Sequence, residues 1–207
     1  MANDEGPNYF MKLQTDMASY QHRWGGGDNY YSSDQAFYKF NAQILATATN
    51  QTNSTHVDPQ WIHSFFYDND GHPDPYAVLS GSDYLKVGVP FPKAFLDGDG
   101  VAAIQYEQEF KNQPNGNMGI TWSQLEHDRF ASAGGMPFGP YPTSIDPINE
   151  VMNQYQENPD ATSVLFTDHT YGPDGKPTAD TNYLSYLLHR QWAVSYTHLT
   201  LPTNREV

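Results

Sequence analysis

The sequence predicts a mainly α, irregular, single-domain helical fold with long loops and at most one small two-stranded β-sheet. Three observations lead to this class. Apolar residues recur at helical spacing in several separate segments. Asp-Pro pairs at 58–59 and 146–147 supply an N-cap followed by a first-turn proline, which is how many helices start. Strand-like stretches are confined to Tyr84–Val89 and Thr162–Thr167. With 207 residues, of which 38% are hydrophobic and 14% aromatic, one domain with a real core is the default.

Taken in order, residues 1–31 are polar and rich in Gly and Tyr, with Trp24–Gly27 as a turn. Ser33 is the expected N-cap of a helix over 34–49, whose stripe is Phe37, Phe40, Ile44, Leu45 and Ala48. The loop after it carries two N-glycosylation sequons, Asn50-Gln-Thr52 and Asn53-Ser-Thr55, a pattern that also arises by chance where Asn and Thr are frequent. Asp58-Pro59 opens a helix burying Trp61, Ile62, Phe65 and Phe66. Asp68–Gly71 and Asp97–Gly100 read as acidic turns, and Val101 to Lys111 as a helix. A further helix starts near Thr121 or Ser123 and stops at Gly134-Gly135. Pro137–Pro142 is extended. Asp146-Pro147 opens a helix with Ile148, Val151, Met152 and Tyr155 on one face, ended by Asn158-Pro159. Tyr171–Gly175 is a turn, and the last helix, about 180–192, buries Tyr183, Leu184, Leu187, Leu188 and Trp192.

Composition excludes several function classes. The formal charge is −14, from 24 acidic and 10 basic residues. Phosphate recognition needs clustered Lys and Arg, so nucleic acid is not an expected partner. No run of about 20 apolar residues exists to insert into a membrane. The polar N-terminus has no signal-peptide pattern. With no cysteine, the chain has no disulfide and no thiolate metal site of its own. The acidic turns are candidate Ca²⁺ ligands: Asp68, Asp70 and Asp74 in one, Asp97 and Asp99 in the other. Carboxylates at alternate loop positions present oxygens to a hard cation, although neither loop has the bidentate Glu of an EF-hand. Equally, Asp, Asn and Gly are ordinary turn residues. His56-Val-Asp58 has the His-x-Asp spacing of non-haem iron sites but lacks a well-placed second His.

The densest group of reactive side chains is Glu126-His127-Asp128. On a helix adjacent residues point roughly 100° apart, so at most two of the three flank one site. A Glu beside a His can do general acid–base work if burial raises its carboxyl pKa. The alternative is a solvated charged turn in which Glu126 pairs with Arg129 three residues on.

The tripeptide, Ser132 four residues after Asp128, and Phe138-Gly139 together resemble the Glu-His-Asp-x-x-x-Ser…Phe-Gly pattern of the chloroperoxidase and unspecific peroxygenase family. The resemblance implies a secreted, helical peroxidase- or peroxygenase-like oxidoreductase using hydrogen peroxide and a Cys-ligated haem. It implies that Glu126 is an acid–base or metal-binding group, oriented by His127 and Asp128. The family's Pro-Cys-Pro and Asn-His-Gly segments are absent. A second register resembles the same family at the N-terminus: Asp16 to Ser19, Arg23, Gly27-Asp28-Asn29 and Phe40-Asn41. There the ligand Cys would precede residue 1, and Gln14 stands in the acidic position.

A binding-module reading stands beside the enzyme. Trp24, Trp61 and Trp122, with 15 Tyr among many Asn and Gln, suit a glycan-binding or other small-molecule-binding surface, since aromatic faces stack on sugar rings and amides take hydroxyls. A structural subunit is the remaining reading. Residues 194–203 resemble a translated sequencing adapter, so the expected domain is 1–193, a piece of a longer protein, with 194–207 a non-native tail.

Overall fold

The computed structural model describes residues 8–16, 28–111, 118–131, 146–158, 164–171, 176–190 and 192. Among the described residues eight helices carry the fold: α1 (8–16), α2 (Asp28–Thr49), α3 (Pro59–Phe66), α4 (Pro75–Leu85), α5 (Lys93–Lys111), α6 (Met118–Ala131), α7 (Pro147–Glu157) and α8 (Tyr183–His189). A 3₁₀ turn, Val164–Phe166, precedes an antiparallel pair, β1 (His169–Tyr171) and β2 (Pro177–Asp180), with His169 opposite Asp180. The expected class is therefore the observed one. Among the described residues no helix is long and apolar enough to cross a membrane.

The central element is α5, which packs on α2, α3, α4, α7, α8 and the 3₁₀ turn. Its glycines explain how. A Cβ on Gly100 would lie 2.4 Å from Leu165, and one on Gly98 would lie 3.1 Å from both Ile62 and Phe66. On α4, a Cβ on Gly81 would lie 2.8 Å from Phe66. The expected turn at Asp97–Gly100 is thus corrected to helix: glycine is there for close approach, not for a reversal. Around α5 the core gathers Phe65, Phe66, Phe91, Phe95, Leu96 and Ile104, each at most 1% exposed. Full burial of such a side chain contributes about 1.5–3 kcal/mol.

The Asp-Pro starts hold. The side chain of Asp58 accepts from the Gln60 N–H, and that of Asp146 from the Asn149 N–H. Asp74-Pro75 is a third start of the same kind, with Asp74 accepting from Tyr76 and Ala77. Tyr84 and Leu85 close α4 instead of opening a strand, and Val164–Phe166 is 3₁₀; the small sheet sits at 169–180 instead. On α2 the inward stripe is Tyr38, Ala42, Leu45 and Thr49. Phe37, Phe40 and Ile44, expected inside, are 38%, 59% and 43% exposed. Two overlapping apolar stripes have the same period here, and only the neighbours choose between them. Similarly, Tyr183 and Leu187 of α8 are buried while Leu188 is 72% and Trp192 41% exposed. The tail from 193 onward, Trp24, Ser132, Gly134-Gly135 and Phe138-Gly139 lie outside the described residues.

Candidate functional site

Helix α6 starts at Met118, so Thr121 and Ser123 lie inside it rather than capping it. Its inward side carries Trp122, Leu125, Glu126 and Arg129. The spacing of 122, 125, 126 and 129 is one face of a helix. His127 and Asp128 fall outside that face. Both are exposed, with His127 Nδ1 only 3.4 Å from Asp128 Oδ1, and Asp128 accepts from Gln124. The structure separates the tripeptide: Glu126 goes in, and its two neighbours go out.

Glu126 meets residues that the sequence did not connect to it. Its Oε2 lies 2.9 Å from Nη2 of Arg129, as the i,i+3 pairing anticipated, but the pair is buried rather than solvated. The same Nη2 donates to Oδ2 of Asp83 on α4. Lys86, just after α4, places Nζ 3.2 Å from Oδ1 of Asp83. From α1, Gln14 closes one side: its Nε2 donates to the Ser80 carbonyl at 3.0 Å, and its Oε1 accepts from Ser80 Oγ at 2.6 Å and from Arg129 Nη1 at 3.4 Å. The side chains of Asp83, Lys86, Arg129 and Glu126 retain 14%, 14%, 8% and 5% exposure.

These surroundings drive the two carboxyls apart. Burial, reinforced by the Asp83 charge, pushes Glu126 up to about 8 against the pull of Arg129 and Lys86. Burial also opposes ionisation of Asp83, but Lys86 and Arg129 outweigh it and hold that carboxyl below its ordinary range. At neutral pH Asp83 is ionised and Glu126 holds a proton. Two titratable groups pushed in opposite directions are the usual arrangement of an acid–base site.

The acidic turns resolve into structural roles. Asp68 Oδ1 accepts from the Asp70 and His72 N–H groups, both at 2.9 Å, while Asp74 caps α4. Asp97 and Asp99 sit two residues apart on α5, about 200° around the axis, and so do not face one ion. Asp97 pairs with Lys93 and accepts from Tyr155 Oη at 2.6 Å. Asp99 is fully buried against α4, with Ser82 Oγ at 3.5 Å from Oδ2; burial raises its pKa well above the carboxylate range. Among the described residues no group of three or more His, Cys, Asp or Glu converges as a metal site.

A second buried network joins α5, α6, α7 and the end of α8. Arg190 donates through Nε to Glu107 Oε2 at 2.8 Å and through Nη2 to Oε1 at 2.5 Å. It also donates to both oxygens of Asp146, at 2.7 and 2.9 Å. Trp122 Nε1 donates to Glu107 Oε1 at 2.8 Å, and Tyr186 Oη donates to Oε2. Trp122 is therefore a core residue, 0% exposed, and no sugar platform. Trp61 is partly buried against Phe65, their ring centroids 5.9 Å apart.

No family model matches this chain, and neither the curated proteins nor the solved structures give a match.

Proposed function

We propose that this chain contributes the proton-transfer group of a secreted oxidoreductase of the peroxidase or peroxygenase kind, with Glu126 as that group. The observation that carries the reading is the fate of the Glu-His-Asp tripeptide. Its Glu alone turns inward, onto an arginine shared with a second carboxylate, and its pKa rises to about 8. Such a carboxyl gives up or takes a proton near neutral pH, where an ordinary one is already ionised. Asp83 keeps Arg129 charged and in place; Gln14 braces the guanidinium from the other side. His127 and Asp128 take no part in the reading, because both face away from Glu126.

A thiolate-ligated haem does not fit the residues of this chain. It has no cysteine, and none of the described histidines is buried. No step through a haem is therefore assigned; what the chain supplies is the acid–base group and its setting. The test is peroxide-dependent oxidation of a chromogenic reductant by the full chain and by Glu126→Gln. The reading requires a fall of about 10²-fold or more, the usual scale for loss of an acid–base group. An active wild type with an equally active, folded E126Q variant overturns it.

A further inference from the structure

The two sequons lie in the turn that follows α2, where Asn53 N–H donates to the Asn50 carbonyl at 3.0 Å. They are not equivalent. The Oδ1 of Asn50 accepts from Thr52 Oγ1 at 2.7 Å and from Thr52 N–H at 3.1 Å, the hydroxyl and amide of its own sequon. This is a local Asx-type contact that the chain can make before it folds. With Oδ1 so engaged, Nδ2 of Asn50 makes no hydrogen bond within the described residues. Asn53 is spent differently: its Nδ2 donates at 2.9 Å to the Thr47 carbonyl in the last turn of α2, which also accepts the Asn50 N–H at 3.4 Å. Its backbone carbonyl faces His56 Nδ1 at 2.7 Å.

Space separates them less than bonding does. Asn50 and Asn53 both border an open groove of about 480 Å³, whose far wall is Gly88–Pro92 and which Gln43 and Asn158 flank with further amides. A groove of this size has room for a first sugar ring, and carboxamides suit its hydroxyls and acetamide.

We infer that Asn50 is an N-glycan acceptor, that Asn53 is not, and that the turn carries a single glycan whose first sugar sits at the mouth of this groove. In the step that attaches it, Nδ2 of Asn50 attacks the anomeric carbon of an oligosaccharide carried on a lipid diphosphate. The N–C1 bond forms and the C1–O bond to the diphosphate breaks. The amide gives up one proton, the lipid diphosphate leaves, and nothing is oxidised or reduced.

The test is secretion of the full chain from a eukaryotic cell behind a cleavable signal sequence, read by the mass lost on treatment with a peptide N-glycosidase. Four variants divide the sequons: Asn50→Gln and Thr52→Ala disable the first, Asn53→Gln and Thr55→Ala the second. All four change side chains of one loop, and Thr52→Ala and Thr55→Ala remove a hydroxyl and a methyl at exposed positions, leaving both asparagines in place. The wild type, N53Q and T55A should each lose the mass of one glycan, and N50Q and T52A none. An unmodified wild type, a second glycan, or a glycan that persists in N50Q and T52A overturns the inference.

Discussion

The two buried charge networks use the same parts and reach opposite ends. Around Arg190, both oxygens of Glu107 and both oxygens of Asp146 receive hydrogen bonds, with Trp122, Tyr186 and the Asn149 N–H adding donors to those of the guanidinium. Burial works against the Arg190 charge, but the hydrogen bonds it donates to the two carboxylates more than reverse that, and its pKa is raised. Around Arg129, two carboxyls share one nitrogen, and Oε2 of Glu126 lies 2.9 Å from it without an aligned hydrogen bond. A closed network fixes helices; an open one leaves a proton whose position depends on pH. A buried charge network alone therefore says nothing of function, and the count of satisfied oxygens separates the two kinds.

The largest effect should come from opening the closed network. Arg190→Met strands two buried carboxylates and should cost about 3–5 kcal/mol, read from urea or thermal unfolding. Arg129→Met should cost less, about 1–3 kcal/mol, because Lys86 still balances Asp83 and Glu126 is protonated at neutral pH. Equal losses would erase the distinction between the networks.

The second effect is a slope in pH. The Glu126 pKa is raised on folding, so between the ordinary carboxyl range and about 8 the folded chain holds a proton that the unfolded chain has released. Stability then falls as pH rises through that window, by an amount on the order of a few kcal/mol, and levels off above it. Asp99 adds a fall of the same sign, since its pKa is also raised. Asp83 acts oppositely: its pKa is lowered, so its contribution is lost as pH drops below the ordinary carboxyl range. Unfolding free energies between pH 4 and 9 should show E126Q with a shallower fall than wild type. Superimposable curves would place Glu126 at an ordinary pKa.

The smallest effects distinguish a structural acidic residue from a bystander. Asp74→Ala removes the cap of α4 and should cost about 1 kcal/mol. His127→Ala, at an exposed position, should stay within about 0.5 kcal/mol in thermal melts and leave peroxide-dependent activity intact. A loss of activity in H127A would return that residue to the site.

Much of the fold was legible because its signals are local. Asp58, Asp146 and the prolines after them specify helix starts through bonds spanning two or three residues, and the stripe of Ile148, Val151 and Tyr155 matches the buried face of α7. Pairing of Glu126 with Arg129 was likewise a matter of helical spacing. Local signals misled where two answers share one pattern. Asp97-Gly-Asp99-Gly100 has turn composition, yet its glycines serve contacts with Ile62, Phe66 and Leu165, residues distant in sequence. Which stripe of α2 faces inward depends on helices distant in sequence, and Asp83 and Gln14 reach Arg129 across 46 and 115 positions. The sequence by itself determined the helical class, the caps at Asp58 and Asp146 and the helix that bears the acidic tripeptide. Only tertiary packing decided that Glu126 is buried beside Asp83 while His127 and Asp128 meet solvent, because burial is a property of the neighbours a side chain acquires and not of its own spacing.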